Sequence, residues 1–190
     1  MNLYDLIITK RTVRRFKQDP ISDEIILKIM ESARQAPSGA NIQPVKYIVV
    51  KDKQMCEKVF VNTAWAGYLK DIGTPKEGER PVLYVVILTD KKLRTDGAKH
   101  DCGAAAQNMM LTAWEEGIGS CWIGALKRDN LREILEIDDI FEIDTVIAFG
   151  YKNEEVVSED AIDDIKYYRD ENNVHHVPKR TLDELIIKKY

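Results

Sequence analysis

The sequence has no long apolar stretch. Its longest clear apolar run is Val82 to Leu88, seven residues, against the ~20 needed to span a bilayer as a helix. Met1-Asn2-Leu3-Tyr4-Asp5 lacks the charged and apolar regions of a secretory leader. Cysteine is scarce: Cys56, Cys102 and Cys121 are an odd number without framework spacing, which excludes a disulfide scaffold and fits reduced thiols in the cytoplasm. Histidine is equally scarce. His100, His175 and His176 are all there are, and no CxxC or HExxH spacing exists, so neither a metal site nor a histidine-driven nucleophile is expected. His100 and Cys102 would fall on different faces of a helix, and the His175-His176 pair reads as loop. An excess of positive charge is also absent. The net charge of −4 argues against a nucleic-acid binder, which is usually basic overall.

What remains is 190 residues, 44% hydrophobic and 32% charged, enough for one folded domain over residues 1–190 with a sizeable core. Leu3, Leu6 and Ile7 mark a short helix. Ser22 caps a second, with Asp23 and Glu24 in its first turn and Ile25, Ile26, Ile29, Met30 and Ala33 at helical spacing. Tyr47–Val50, Val82–Leu88, Ser120–Gly124 and Thr145–Phe149 read as strands. Between the first two lies a less regular region containing Trp65 and Tyr68, then Gly73 to Pro81, a mobile loop by composition. Asp101 to Glu116 is apolar nearly all round and predicts a buried helix. It suits the core of a monomer or a dimer interface equally well. Asn130–Leu135 is a short amphipathic helix, and Thr181-Leu182-Asp183-Glu184 is a capping box opening a last one. The pattern is α+β: a mostly antiparallel or mixed sheet flanked by helices.

Against the acidic background, Lys10-Arg11-Thr12-Val13-Arg14-Arg15-Phe16 gathers four cations and a hydroxyl. Arginine forks and a neutral donor suit a terminal phosphate, although on charge alone a solvated patch at a helix end is the commoner outcome. Pro37-Ser38-Gly39-Ala40-Asn41-Ile42-Gln43-Pro44 puts Ser38, Asn41 and Gln43 at a helix-to-strand junction, with Gly39 allowing unusual dihedrals. Amides offering donor and acceptor together fit the edge of a pyrimidine-dione; local side-chain-to-backbone bonds are the plainer use. Gly117-Ile118-Gly119-Ser120-Cys121-Trp122-Ile123-Gly124 is no dinucleotide fingerprint, since its third glycine is misplaced and it runs helix to strand. Val177-Pro178-Lys179-Arg180 puts two more cations just ahead of a helix N-terminus, which itself attracts anions. Cys121 beside Trp122 reads as a small core residue.

Together these segments resemble the nitroreductase family of flavoproteins. Arg11-Thr12-Val13-Arg14-Arg15-Phe16 is similar to its Arg-Ser-x-Arg-x-Phe element, Pro37 to Pro44 to its Pro-Ser-x-x-Asn-x-Gln-Pro element, and Gly117 to Gly124 to its helix-to-strand turn. Asp101-Cys102-Gly103-Ala104, Phe149-Gly150-Tyr151 and Val177-Pro178-Lys179-Arg180 follow in the family's order. The resemblance implies an α+β sandwich forming an intertwined homodimer, with tightly bound FMN in clefts at the interface. Lys10, Arg11, Thr12, Val13 and Arg14 would hold the phosphate and ribityl chain, completed by Lys179 and Arg180. Ser38, Gly39, Asn41 and Gln43 would line the flavin cleft, and Trp122, Ile123 and Gly124 would bring backbone N–H groups near flavin N5. Trp65 and Tyr68 would border the substrate pocket, as lid or as core. The implied activity is hydride transfer from NADH or NADPH through flavin N5 to a nitroaromatic, quinone or similar small acceptor in a ping-pong cycle, with no catalytic side chain. The resemblance also covers a non-catalytic flavin store and the dehalogenating, flavin-destroying and azoline-oxidising relatives. The chain departs from the pattern at Val45, where Trp often follows Gln-Pro, at Lys152, where Pro often follows Gly-Tyr, and in lacking the longer helical insertions.

Overall fold

The computed structural model describes residues 2–94, 96 and 98–190, with the side chains of Lys70 and Asp71 excepted; Met1 lies outside them. A four-stranded antiparallel sheet has the order β1-β2-β4-β3, from β1 (Val45–Val50), β2 (Leu83–Asp90), β3 (Ile118–Ile123) and β4 (Phe141–Tyr151). β2 lies inside the sheet with both faces covered, so Leu83 to Leu88 are all at most 3% exposed. That double burial is why the longest apolar run of the chain falls there.

One face of the sheet carries α2 (Asp23–Arg34) and α4 (Ala98–Glu115), joined through Ile26, Ile29, Ala33, Cys102, Ala106 and Met109 to the inward residues of β2 and β4. The Ser22 hydroxyl caps α2 by accepting from Ile25 N–H at 3.4 Å. The other face carries α3 (Lys53–Phe60) and α5 (Arg128–Ile134), with Val59, Phe60, Trp65 and Leu131 packed on Tyr84, Val86 and Val146. Each fully buried large aliphatic contributes about 1.5–3 kcal/mol. α1 (Leu3–Thr9) is different: of its apolar residues only Leu6 is buried, while Leu3, Tyr4, Ile7 and Ile8 are all more than 40% exposed.

Two elements depart from the sequence expectation. α3 replaces irregular chain: Asp52 caps it by accepting from Met55 N–H at 2.8 Å, and Cys56, Val59 and Phe60 form its buried stripe. Beyond β4, a second sheet of order β5-β7-β6 forms from β5 (Val156–Asp160), β6 (Tyr168–Arg169) and β7 (His175–Lys179), with β5 and β7 parallel. The His175-His176 pair is therefore strand, not loop, and His175 is 1% exposed. The last helix, α6 (Leu182–Leu185), has the expected capping box. Gly73 ends a 3-10 helix (Gly67–Gly73); residues 74–81 carry no regular structure, but their far end is anchored: Phe16 N–H donates to Glu79 O at 2.9 Å and Gln18 Nε2 to Arg80 O at 2.9 Å. Among the described residues no helix is long and apolar enough to cross a membrane.

Candidate active site

The cationic segment lies across the end of the main sheet in a trough made by two glycines. Gly119 and Gly150 are cross-strand partners on β3 and β4. A β-carbon on Gly119 would sit 2.7 Å from Val13 Cβ, and one on Gly150 would sit 2.7 Å from Phe16 Cβ. Both Val13 and Phe16 are fully buried. The backbone adds to the sheet edge: Val13 N–H donates to Ser120 O at 2.9 Å, Lys17 N–H to Tyr151 O at 2.8 Å, and Thr12 bridges Ser120. With positions 13 and 16 committed inward, Lys10, Arg11 and Arg14 are held by a rigid frame rather than a loose tail.

Those cations meet the other end of the chain. The Arg11 guanidinium donates to Lys10 O at 2.6 Å and to the Ser158 hydroxyl on β5. Lys10 Nζ lies 3.3 Å from Met110 Sδ on α4. Its amine is pulled down to about 8, first by burial and then, against an opposing effect of Cys121, by the charges of Arg11 and Lys179. Lys10, Arg11 and Lys179 thus converge within one chain, and the Arg11 Nε is buried without a hydrogen-bond partner among the described residues. Arg180 turns away to Glu184 Oε1 at 3.2 Å. The anticipated anion-attracting helix N-terminus is corrected here: α6 is a single turn, and Glu184 itself accepts from Thr181 N–H at 2.9 Å.

Arg14 is anchored differently. Its backbone N–H and that of Arg15 both donate to Glu154 Oε1, whose other oxygen pairs with Arg169. The Arg169 and Glu154 side chains are 4% and 2% exposed. The Arg14 guanidinium lies 4.6 Å over the Tyr167 ring and 3.0 Å from His175 Nε2. Burial, then the charge of Arg14, push the imidazole down to about 4. Tyr167 also packs 4.9 Å from Tyr68, which is 55% exposed. Trp65 instead packs 5.9 Å from Phe60 and is 8% exposed, a core residue of the α3 face.

The Ser38 segment, the second stretch that the sequence points to, is anchored on α4. The Ser38 hydroxyl donates to buried Asp101 Oδ2 at 2.5 Å and accepts from Gln43 N–H at 2.9 Å, while Gly39 N–H reaches Asp101 Oδ1 at 3.3 Å. Gln43 Nε2 donates to Asn41 O and Oδ1 at 3.2 and 3.1 Å. Ala40, Asn41 and Gln43 all have φ between 51° and 56°, backbone strain of the kind that concentrates at binding sites. A cleft of about 380 Å³ opens here, lined by Ser38, Gln43, Tyr47, Asp101 and Ala105 among others. Farther along, Trp122 is 42% exposed beside Gly103 of α4, and nothing lies within 4 Å of where a Gly124 β-carbon would point.

Asp101, Glu154, Ser158, Tyr167, Arg169 and His175 were not singled out as site residues by sequence. The faint signals were the buried-helix position of Asp101 and the short Val156-Val157 and Val174-to-Val177 runs. All three cysteines are buried and free, and burial pushes their thiols up to about 12 for Cys56 and about 11 for Cys102 and Cys121. None is an activated nucleophile.

Lys10, Arg11 and Lys179 thus gather near one edge of an α+β sandwich, with Trp122 exposed on the edge strand β3. The Nitroreductase family profile matches residues 7–151. A curated relative from Archaeoglobus fulgidus, named "Putative NADH dehydrogenase/NAD(P)H nitroreductase", is 34% identical over 157 residues, covering 79% of this chain and 85% of its own. A solved "FMN-dependent Nitroreductase" from Clostridium difficile R20291 is 25% identical with a TM-score of 0.67 over 85% of this chain and 92% of its own. A solved "putative nitroreductase in complex with fmn" from Desulfovibrio desulfuricans superposes with a TM-score of 0.74 over 100% of this chain and 98% of its own at 22% identity, a likeness of fold. The chain belongs to the nitroreductase family and is an oxidoreductase of that NAD(P)H-using type.

Proposed function

We propose that the chain binds FMN as a cytoplasmic homodimer and reduces small electron acceptors, nitroaromatics or quinones, with NADH or NADPH. One observation carries this reading: Lys10 and Arg11, held on the glycine trough of the main sheet, meet the second sheet through the Arg11 bond to Ser158, with the Arg11 Nε buried and without a hydrogen-bond partner among the described residues and with Lys10 pulled down to about 8, first by burial and then by the charges of Arg11 and Lys179. Like charges gathered in a partly buried place are unfavourable until an anion joins them, and a terminal phosphate with ~1.5–2 negative charges meets that need. Lys10, Arg11, Thr12 and Lys179 would hold the phosphate and ribityl chain, with Arg180 released from Glu184 to join them. Arg14 would join them along the phosphate and ribityl chain, and Trp122, Ile123 and Gly124 would border the ring system. Bound FMN would accept hydride from the nicotinamide and pass it to the acceptor. The protein's part is to bind, orient and shield. Tyr68, exposed beside Tyr167, would stack on an acceptor. The buried free thiols fit a reducing cytoplasm.

The geometry of α4 supports the dimer reading. Asp101, which holds the Ser38 segment, and Met110, which touches Lys10, are nine residues apart. At ~100° and ~1.5 Å per residue they face opposite flanks, roughly 13 Å apart along the helix. Within one subunit the cations and the Ser38, Gly39, Asn41 and Gln43 segment therefore flank different sides. A second copy would bring its Ser38 segment to the first copy's cations. The exposed Leu3, Tyr4, Ile7, Ile8 and Trp122 supply an apolar surface for that contact.

The test is a visible spectrum of purified protein, then anaerobic reduction with NADH and NADPH in parallel. Flavin bands and turnover with menadione or a nitroaromatic are expected. Flavin without turnover would instead mark a storage module. Arg11→Ala with Arg14→Ala should weaken FMN binding by orders of magnitude, each charge-assisted contact being worth ~1.5–3 kcal/mol. Unchanged flavin retention in that double variant overturns the assignment.

A further inference from the structure

Resting on the flavin reading above, we propose that His175 is a positioning residue: as a neutral acceptor at Nε2 it fixes the Arg14 guanidinium in the single orientation that the flavin meets. The chemistry of the pair sets the tautomer. A guanidinium donates only and stays charged, so the 3.0 Å contact between Arg14 Nη1 and His175 Nε2 requires an Nε2 without a proton. The ring proton is then on Nδ1, which is buried and has no hydrogen-bond partner among the described residues. An imidazole kept buried with an unsatisfied donor is costly. Among the described residues the ring's polar contact is with Arg14.

The surroundings hold the ring in that form. The ionisable groups acting on it are Arg14, Glu154 across the base of the segment, Arg169 opposite it on β6 and His176 next in β7. One carboxylate faces two guanidiniums there. A charged imidazole would make a third adjacent cation, and burial adds to the penalty. Tyr167 closes the frame, with its ring 5.4 Å from His175 and under the Arg14 guanidinium. Arg14 is therefore clamped by its backbone to Glu154, by its face to Tyr167 and by its edge to His175. A free arginine side chain carries ~2 kcal/mol of rotamer entropy, and locking it before a ligand arrives removes that cost from binding.

The test is FMN affinity of flavin-stripped protein for wild type, His175→Phe, His175→Gln, Arg14→Ala and the Arg14→Ala/His175→Phe pair, with circular dichroism on each. His175→Phe is expected to weaken FMN binding at least about tenfold. His175→Gln, whose amide oxygen can accept from the guanidinium, should recover most of it. In the Arg14→Ala background the phenylalanine should add no further loss, because it acts through Arg14. Additive losses, or wild-type affinity in His175→Phe, overturn the proposal while leaving the flavin reading intact. Wild-type protein that takes up no FMN overturns both. Nitrogen NMR of the flavin-free chain decides independently, since a proton found on His175 Nε2 at neutral pH removes the contact itself.

Discussion

Val13 and Gly119 are packed so closely that a β-carbon on the glycine would lie within 2.9 Å of three Val13 side-chain atoms. The nearest atoms belong to a branched, fully buried side chain, which cannot swing aside. Gly119→Ala should therefore push the cationic segment off the sheet, breaking the Val13 N–H to Ser120 O bond and spreading Lys10, Arg11 and Arg14. Overpacking of this kind costs about 1–3 kcal/mol. We expect a lower thermal midpoint together with loss of copurifying flavin. A variant that keeps both would separate the glycine trough from the binding site.

FMN affinity should fall above about pH 8. In the free chain the Lys10 amine is pulled down to about 8, and a bound phosphate favours its charged form. Below that pH the ammonium is already present and affinity is full. Above it, binding must also take up a proton, so affinity declines by up to about tenfold per pH unit. Calorimetry in buffers of different ionisation enthalpy checks this through proton uptake at pH 8–9. Lys10→Arg, permanently charged, should flatten the profile.

Stability has an acid limb set by His175. Its imidazole sits at about 4 in the fold, below the ~6.5 of an unfolded histidine. Between those values the unfolded chain binds more protons, so stability is full above pH 6.5 and is lost as pH falls towards 4. The shift corresponds to about 3 kcal/mol. His176, raised by its bond to Glu159, works in the opposite direction. Urea midpoints of wild type and His175→Gln compared from pH 7 to 4 isolate the His175 share; parallel curves would exclude it.

Asp101 should prove structural for the Ser38 segment. Its carboxylate accepts from both the Ser38 hydroxyl and Gly39 N–H, and it anchors a segment with three left-handed residues. Asp101→Ala leaves those donors without their acceptor, at about 1–3 kcal/mol. Faster proteolysis within residues 38–43 is expected, alongside a raised KM for the nicotinamide donor.

The main sheet was legible in sequence because it depends on local pattern, and the proposed site segments stand out by composition. The double burial of β2 writes itself as an unbroken apolar run, and the cations of Lys10 to Arg15 stand out against an acidic chain. α3 was missed because its stripe is short, only Cys56, Val59 and Phe60 behind the Asp52 cap, within a region rich in loop residues. The second sheet was missed for a different reason. Its strands are two to five residues long, and they are held by contacts no local window contains, such as Glu154 to Arg14 and Arg169. His175 reads as a polar loop residue until Arg14, 161 positions away, is placed beside it.

The opposite flanks of α4 give the sharpest test of the dimer. If one subunit supplies the cations and its partner supplies the Ser38 segment, damage to the two parts should complement. A chain carrying Arg11→Glu has a broken cation half, and one carrying Ser38→Ala with Asn41→Ala has a broken cleft half. Each alone should form a flavin-poor, inactive homodimer. In the mixed dimer one cleft joins both broken halves, while the other joins the intact cations of the second chain to the intact Ser38 segment of the first. Co-expression with two affinity tags should thus recover flavin and NAD(P)H oxidation in the doubly purified species. Sites built within single subunits would leave both clefts damaged, and the mixed dimer would stay colourless.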